Sequence, residues 1–366
     1  MQNLPTVPRA LIIGLSLAID RLLDLAALEP GRSNRYHSRS VSWGGKGLNV
    51  ARGFTARGGR CTLLTLDPGG CLSRPPSDLP QLDWPPAASG SRLEALEADF
   101  PLRQNLKLHV PQADGRLELT ELNDAGRAPA DAGRLVEELS NYVALLTRSP
   151  EERPRVVVCS GSLPAGLPDR LYAELLASAA GSGALTILDA RSRPAALALE
   201  RGRVHIVKPN REELAQFTER DCSDTGKALQ AARLLADRSG AWVLASLDVA
   251  GAALVLPGAA EAFYASAPGP GAMPGLGAPR RLIGAGDAMT AGLALQAQLA
   301  SAAGGAVDGA ALRERLDPAQ LLADALAAAA VTIALPPERD PDPGQIAALR
   351  AVIPVERRRI QRDCPS

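Results

Sequence analysis

The sequence predicts an α/β protein with a doubly wound, mostly parallel sheet flanked by helices, and with a separate small β-sheet. Short apolar runs recur along the 366 residues. Helix-like segments separate most of these runs, and two segments with polar alternation stand apart from them. Strands that alternate with helices favour a parallel sheet that is covered on both faces.

The apolar runs are short and continuous, which is typical of strands that are buried on both faces. They cover residues 10–15, 61–66, 156–159, 185–188, 204–207 and 242–247. The predicted helices between them cover residues 48–57, 131–146, 168–180, 212–217 and 227–238. Three further helices, at 288–300, 319–334 and 344–351, are predicted near the end of the chain.

A β-hairpin is predicted outside this pattern. Leu106, Leu108 and Val110 alternate with polar residues, and a second alternating segment follows the turn at residues 113–115. Such alternation indicates strands with one buried face. Together with the polar residues 31–43, the hairpin is expected to form a small sheet that covers the site as a lid.

The chain is predicted to form one domain over residues 1–353, with lid strands near 31–43 and 103–120 and a tail at 354–366. The tail carries three consecutive arginines, Arg357 to Arg359, and is interpreted as a solvated end rather than a binding patch. Residues 67–90 and 268–279 are rich in proline or glycine and are predicted loops.

Charge and cysteine usage exclude several classes of protein. Forty basic and forty acidic residues give a formal net charge of zero, which argues against a broad nucleic-acid interface. The five cysteines form no C-x-x-C pair, which indicates a reducing, cytoplasmic setting. The alanine-rich residues 321–335 contain Asp324 and are too few to span a bilayer, so no membrane partner is expected.

Two glycine-rich motifs each precede a predicted helix. The first, at residues 44–52, directs backbone N–H groups and a helix N-terminus at an anion or a polar hydroxyl. It is not a Walker A loop, because Gly47 follows Lys46. The second, Gly284-Ala285-Gly286-Asp287, combines amides that can hold a phosphoryl group with a carboxylate that can accept a proton from an alcohol. The alternative for Asp287 is a carboxylate that only stabilises the helix N-terminus.

Two more motifs follow predicted strands, where ligands bind in open α/β sheets. In the stretch 208–213, Asn210 and Glu213 lie three residues apart and can face one point, such as a water on Mg²⁺. Helix capping by Asn210 is the alternative. The stretch 159–164 contains Ser162, and its alternative interpretation is an ordinary turn.

Taken together, these motifs resemble the ribokinase/PfkB family of carbohydrate kinases, close to its 1-phosphofructokinase and tagatose-6-phosphate kinase branch. Both family signatures, at 44–52 and 284–292, are present in order, with the motifs at 160–164 and 207–214 between them. Residues 103–106 resemble the substrate-phosphate strand of that branch. The likeness covers residues 10–334 and implies a ribokinase-like fold, ATP and Mg²⁺ as cofactors, and pairing of two lids in a homodimer.

The resemblance implies a role for each matching residue. Asp287 would be the catalytic base, and Gly284, Ala285 and Gly286 would form an anion hole. The substrate-binding residues implied are Asp20, Arg35, Gly45, Lys46, Asn49, Arg103, Asn105 and Ser162, of which Lys46, Arg103 and Arg35 would hold the phosphate of the substrate. The residues implied for the nucleotide are Lys208, Asn210, Glu213, Ser246 and Gly251, with Glu213 acting on the metal through water.

The sequence departs from the family pattern mainly on the nucleotide side. Asp248 replaces a glycine in the S-L-G-x-x-G stretch that ends at Gly251. A carboxylate ~6 Å from the ATP phosphates would cost roughly 3 kcal/mol. Residues 281–283 replace the usual pair before the second signature, and the proline-rich loop 67–90 replaces a G-x-D-x-x-G segment. Residues 335–337 also depart from the family pattern, again on the nucleotide side.

The resemblance implies an ATP-dependent kinase that converts fructose 1-phosphate to fructose 1,6-bisphosphate. Tagatose-6-phosphate kinase and 6-phosphofructokinase activities are alternatives within the branch. A degenerate member that binds a sugar phosphate without transfer is an alternative of another class, as is a nucleotide-dependent α/β protein of other chemistry.

Overall fold

The computed structural model describes residues 9–112, 117–149, 151–201, 203–272, 277, 284–303, 308–335 and 339–361. Its strands, in chain order, are β1 (Ala10–Ile13), β2 (Ala18–Leu25), β3 (Tyr36–Gly44), β4 (Cys61–Pro68), β5 (Arg92–Ala98), β6 (Arg103–Pro111), β7 (Leu117–Leu122), β8 (Val156–Ser160), β9 (Leu185–Asp189), β10 (Ile206–Val207), β11 (Trp242–Ser246), β12 (Ala252–Val255), β13 (Glu261–Ala265) and β14 (Glu356–Arg359).

The main sheet has the strand order β14-β13-β12-β11-β10-β9-β8-β1-β4-β5 in the described residues. From β5 to β11 all neighbours are parallel, whereas β12, β13 and β14 are antiparallel. The strand order reverses at β1, which pairs with β4 on one side and β8 on the other. Ligands of open α/β sheets bind beyond the carboxyl ends of the strands at such a reversal.

Helices cover both faces of this sheet. They are α1 (Lys46–Ala56), α2 (Ala132–Arg148), α3 (Leu171–Gly181), α4 (Ser192–Glu200), α5 (Arg211–Thr218), α6 (Thr225–Ser239), α7 (Ala285–Ala303), α8 (Gly309–Glu314), α9 (Pro318–Ala334) and α10 (Pro343–Val352). Residues of α2 to α6 form one hydrophobic core with the sheet. Residues of α1, α7, α8 and α9 form a second core.

The alternation of side chains along the strands explains the two cores. Leu11 and Ile13 of β1 belong to the first core, whereas Ala10 and Ile12 belong to the second. Because successive residues of a strand point to opposite faces, a continuous apolar run buries both faces at once. The predicted doubly wound α/β fold is therefore confirmed. In the described residues, no helix has both the length and the apolar character of a membrane span.

The small sheet has the order β3-β2-β6-β7. The predicted hairpin forms β6 and β7, which pair in antiparallel register, and the predicted extended segment forms β3. The hairpin turn at 113–115 lies outside the described residues. Strand β2 was not predicted, although it joins β3 to β6 at the centre of this sheet.

The interpretation of residues after 353 as a solvated tail is wrong for β14. Its four residues pair with β13 at the edge of the main sheet. The guanidinium groups of Arg357 and Arg358 stack on the rings of Phe263 and Tyr264, at 3.9 and 3.3 Å from the ring centroids. The attraction between these guanidinium groups and the aromatic rings holds β14 against β13, although its run of arginines had suggested a free end. The predicted loop at 67–90 has no strand beyond Pro68, and β5 follows it.

Candidate active site

A cleft of about 530 Å³ lies at the carboxyl ends of the central strands, between the main sheet and the small sheet. Residues of β2, β6 and β7 line one wall, and the N-terminal turns of α1 and α7 line another. Lysines and arginines line it together with carboxylates and serines, so that a polar ligand with negative charge fits its chemistry.

Two glycines bring the first turn of α1 against the end of β1. A side-chain carbon on Gly47 would lie 2.4 Å from the Cα of Gly14, and one on Gly14 would lie 2.5 Å from the Cα of Gly47. Gly45, which precedes α1, has a φ of 119°, a conformation that other residues rarely adopt. These contacts place Lys46 and Asn49 in the cleft.

Asp287 lies in the first turn of α7, where Asn49 Nδ2 donates a 2.8 Å hydrogen bond to its Oδ2. The residue is buried, with 7% of its surface exposed. Burial raises the pKa of Asp287, and the nearby charge of Asp189 adds to this effect. Lys46, the Asn49 amide and Lys208 oppose the rise in this pKa. A carboxylate held in this way suits a base that takes up a proton during the reaction.

Asp189, at the end of β9, organises the charges behind Asp287. Its Oδ1 lies 3.4 Å from Lys46 Nζ and 3.3 Å from Lys208 Nζ, and Thr290 Oγ1 donates a 2.7 Å hydrogen bond to Oδ2. Burial alone would raise the pKa of Asp189, but Lys208 and Lys46 outweigh it and hold the pKa below its usual value. The charge of Asp189 in turn raises the pKa of Lys46 despite burial.

Asp20, on β2, is held by two side chains of β6. Asn105 Nδ2 donates to Asp20 Oδ1 at 2.8 Å, and Lys107 Nζ lies 2.6 Å from Oδ2. Gly44, the β3 residue that pairs with Ala18, leaves room for this carboxylate, because a side-chain carbon there would lie 2.3 Å from Asp20 Oδ2. The small sheet thus presents a fixed carboxylate to the cleft.

Arg103 begins β6 on the same wall. Its Nε donates to the carbonyl oxygen of Asp124 at 2.8 Å, and Nη1 donates to Ser16 Oγ at 2.6 Å. Gly161, Ser162 and Arg191, which follow β8 and β9, complete this end of the cleft. Hydroxyl and guanidinium donors are therefore concentrated at the end of the cleft formed by the small sheet.

The opposite end of the cleft is formed by Lys208, Asn210, Ser246 and Gly251, with an apolar strip from α9. Gly251 has a φ of 103°, and a side-chain carbon there would lie 2.1 Å from the carbonyl oxygen of Ala265. Only glycine therefore fits this turn. The strip comprises Leu326, Ala329, Ala330 and Ile333. An apolar strip beside polar groups suits a nucleotide base and its phosphates.

Asp248 lines this end of the cleft, and its side chain is 69% exposed. Its φ of 55° is in the left-handed region, which glycine adopts freely and aspartate tolerates better than most residues. Arg211 Nε lies 3.6 Å from its Oδ2. The predicted repulsion of ATP phosphates is weakened both by this counter-charge and by solvent screening.

The predicted site residues converge on this cleft with two exceptions. Arg35 is exposed before the start of β3 and does not line the cleft. Only the Gly44 end of β3 approaches the cleft, and Arg35 lies nine residues earlier, roughly 30 Å along an extended strand. Glu213 is buried and does not line the cleft.

The structure explains the position of Glu213. Glu213 and Asn210 form a capping box at the start of α5, so the capping alternative for Asn210 is confirmed. Glu213 Oε2 accepts from the Asn210 backbone N–H, and Oε1 lies 3.8 Å from Lys46 Nζ. In the described residues there is no cluster of three acidic, histidine or cysteine side chains that could hold a metal ion.

Four charged residues in or beside the cleft were missed by sequence reasoning: Lys107, Glu121, Asp189 and Arg191. Asp189 directly follows the predicted strand at 185–188, so its position at a carboxyl end was a usable signal. Arg191 follows it by two residues and carried the same signal. Lys107 alternates with the apolar residues of β6, but nothing in the sequence places it opposite Asp20.

The sequence of this chain matches known kinases. A sequence model described as "pfkB family carbohydrate kinase" matches residues 144–336, more than half of the chain. The 1-phosphofructokinase of Xanthomonas campestris is 32% identical over 289 residues, which cover 78% of this chain and 83% of that protein. This chain belongs to the pfkB family of carbohydrate kinases. A second family member, the 1-phosphofructokinase of Rhodobacter capsulatus, is 33% identical over 78% of this chain and 82% of its own length.

Solved structures of pfkB kinases show the same fold. Phosphofructokinase-2 from Escherichia coli in complex with potassium superimposes with a TM-score of 0.72 and 22% identity, over 94% of this chain and 99% of that one. The predicted ribokinase-like fold is thus confirmed, with the large sheet and the separate small sheet both present.

Proposed function

We propose that this pfkB kinase transfers the γ-phosphoryl group of ATP to fructose 1-phosphate and forms fructose 1,6-bisphosphate. The observation that carries the proposal is the position of Asp287 beside the amides of residues 284–286, in a cleft whose walls carry five lysines and arginines. The relatives named 1-phosphofructokinase favour this acceptor over tagatose 6-phosphate and fructose 6-phosphate.

Asp287 acts as the base in this proposal. Its carboxylate takes the proton of the acceptor hydroxyl as the hydroxyl oxygen bonds to the γ-phosphorus and the bridging oxygen leaves with ADP. The hydrogen bond from Asn49 holds the carboxylate in place and favours its ionised form. Burial keeps its pKa high enough for proton uptake.

The start of α7 stabilises the transferred group. The backbone amides at Gly284, Ala285 and Gly286 face the developing negative charge at the positive end of the helix dipole. Gly284 has a φ of 94°, and a side-chain carbon on Gly286 would lie 3.3 Å from Lys208 Nζ. This close approach lets Lys208 add its charge to the same phosphoryl group.

The acceptor sugar binds between α1 and the small sheet. We assign its hydroxyls to Asp20, Gly45, Asn49, Asn105 and Ser162, all of which line the cleft. Its phosphate is assigned to Arg103 and Lys46. Lys107 Nζ lies 2.6 Å from Asp20 Oδ2 and fixes the carboxylate in the cleft, where it accepts hydrogen bonds from sugar hydroxyls.

ATP occupies the end of the cleft formed by Lys208, Asn210, Ser246 and Gly251, with its base against the apolar strip of α9. Mg²⁺ bound with the nucleotide would neutralise charge on its phosphates. The carboxylate of Glu213 is buried outside the lining of the cleft and already has Asn210 and Lys46 as partners, so any contact with the ion would have to run through water.

Comparison of several acceptors tests the proposal. ADP release is measured with fructose 1-phosphate, fructose 6-phosphate, tagatose 6-phosphate, ribose and adenosine, and we expect the highest kcat/KM with fructose 1-phosphate. Turnover only with unphosphorylated acceptors would refute the proposal.

Replacement of the base tests the mechanism. Asp287→Asn is expected to lower kcat by about 10²–10⁴, because the amide cannot accept the proton. Asp169→Asn, an exposed change outside the cleft, serves as the control and should keep the wild-type rate. An unchanged kcat in Asp287→Asn would remove Asp287 from the mechanism.

A non-catalytic sugar-phosphate-binding protein is the second candidate, and Asp248 is the observation that favours it. Arg211 offsets the charge of Asp248, so we expect Mg·ATP binding at physiological nucleotide concentrations. Calorimetric titration with Mg·ATP measures this directly. Absence of binding would favour the non-catalytic candidate. The predicted homodimer through the small sheet stays a prediction.

A further inference from the structure

The five cations that line the cleft differ in their partners. Lys46 and Lys208 lie within 3.4 Å of the Asp189 carboxylate, and Lys107 lies 2.6 Å from that of Asp20. These three lysines are therefore largely neutralised within the protein. Lys46 also lies 3.8 Å from Glu213, so less of its charge remains for the phosphate of the acceptor than an unpaired cation would offer.

The two arginines of the cleft, Arg103 and Arg191, are different. In the described part of the chain, neither forms an ion pair within 4.0 Å of a carboxylate. Arg103 uses Nε and Nη1 for neutral oxygen atoms of Asp124 and Ser16. Asp124 and Asp20 act on the charge of Arg103 without forming an ion pair with it. The two guanidinium groups therefore remain available to an anion in the cleft.

These two arginines also act on each other. The pKa of Arg103 is lowered mainly by burial, and the charge of Arg191 contributes to the lowering, while Asp124 and Asp20 oppose it. Two like charges that are close enough to interact destabilise the protein unless an anion binds between them. Guanidinium groups bind phosphate oxygens through pairs of parallel N–H donors, which makes phosphate a fitting anion.

The backbone next to Arg191 is strained. Ser192, the first residue of α4, has a φ of 63°, in the left-handed region that residues other than glycine rarely adopt. Arg191 itself is extended, with φ −122° and ψ 171°, and precedes α4 without capping it by a side-chain hydrogen bond. This strained turn, at residues 190–192, joins the end of β9 to the start of α4 and brings Arg191 to the cleft.

We propose that Arg191 and Arg103 together bind the phosphate that the acceptor sugar already carries, and that Arg191 determines specificity for phosphorylated over unphosphorylated sugars. The inference rests on the proposed function and deepens it, because it names the group that selects the substrate class. A phosphate dianion matches these two guanidinium groups, neither of which has a carboxylate partner within 4.0 Å among the described residues. The acceptor hydroxyl then extends from this end of the cleft toward Asp287.

Arg193 provides a matched control, because it is an arginine in the same segment but pairs with Asp169 at 3.3 Å and does not line the cleft. The experiment compares wild type, Arg191→Met, Arg191→Lys and Arg193→Met. For each protein, KM for fructose 1-phosphate, KM for ATP and kcat are measured, and fructose 1-phosphate binding without ATP is titrated by calorimetry.

Arg191→Met is expected to raise KM and the calorimetric Kd for fructose 1-phosphate about 10- to 100-fold, the range for loss of charged hydrogen bonds. KM for ATP should not change, and Arg191→Lys should recover part of the affinity. Arg193→Met should match wild type. Equal loss in both methionine variants would indicate a structural effect and overturn the inference, as would equal affinity of Arg191→Met and wild type.

The same experiment separates the two proposals. If wild type phosphorylates fructose 1-phosphate and Arg191→Met does so with the same KM, only the role of Arg191 is wrong. If wild type neither binds nor phosphorylates any of the sugar phosphates, the proposed function is wrong and the inference fails with it.

Discussion

Asp287 and Asp189 are both buried in the same cleft, yet their pKa values shift in opposite directions. Asp189 lies between two lysine ammonium groups and accepts from Thr290, so its charged form is stabilised. For Asp287, burial and the charge of Asp189 outweigh the opposing effects of Lys46, Lys208 and the neutral donor Asn49, so its pKa is raised. Because both carboxylates are buried, the difference comes from their neighbours. Asp189 remains a fixed negative charge, whereas Asp287 can act as a base.

Asn49→Ala tests how the environment sets the pKa of Asp287. The amide hydrogen bond favours the ionised carboxylate, so its loss should raise this pKa further. Since the base works only when ionised, the acidic limb of kcat/KM against pH should move to higher pH. The pH profile of kcat/KM is the measurement.

Asn123→Ala is the control for this change, because Asn123 also lines the cleft but is exposed, and no described hydrogen bond joins it to Asp287. Its acidic limb should coincide with that of wild type. If the limb of Asn49→Ala also stays in place, the titrating group in the pH profile is not Asp287.

At the scale of elements, a buried ion pair connects the helix that carries Lys46 to the helix that carries the apolar strip. Arg57, which caps α1 at its C-terminus, donates from Nη2 to both carboxylate oxygens of Asp324 on α9, each at 2.8 Å. The side chains of Arg57 and Asp324 are only 7% and 1% exposed. Arg350 of α10 lies 3.4 Å from Asp324.

Arg57→Met should lower the free energy of unfolding by about 3–5 kcal/mol, because it leaves the buried Asp324 carboxylate without its main partner. Urea unfolding measures the change. Arg57→Met combined with Asp324→Leu should recover much of this loss, since neither charge then remains.

The exposed pair of Arg92 and Glu152, 2.9 Å apart, gives the matched control. Arg92→Met should cost less than about 1 kcal/mol, because solvent already screens that pair. A similar small cost for Arg57→Met would show that Asp324 is not held as a buried charge.

Helices and central strands were predictable because their signals are local. The apolar runs of β1, β4, β8, β9 and β11 and the segments of α1 to α3 were recognised close to their observed bounds. β14 was missed because its Glu-Arg-Arg-Arg sequence has the composition of a solvated end. It becomes a strand only because β13 offers a pairing edge and two aromatic rings.

At the scale of the whole molecule, the active-site cleft exists because two sheets meet at the strand reversal beside β1. The main sheet brings Lys208 to the cleft and places the buried Asp189 behind it, whereas the small sheet brings Asp20 and Arg103. Neither sheet contains a complete set of groups for phosphoryl transfer.

The sequence by itself determined the fold class, the kinase signatures and the residues that lie within a few positions of each other in them. The residues of one signature share a single turn, so their spacing along the chain fixes their relative positions. The tertiary structure alone decided the partners of Lys46, which lies 143 residues from Asp189, and the pairing of Asp20 with Lys107 across strands β2 and β6. It also placed Arg191 beside Arg103 and Arg35 outside the cleft. Contacts of this kind depend on strand order and register, and the local pattern of residues does not encode either in a form that can be read from one sequence.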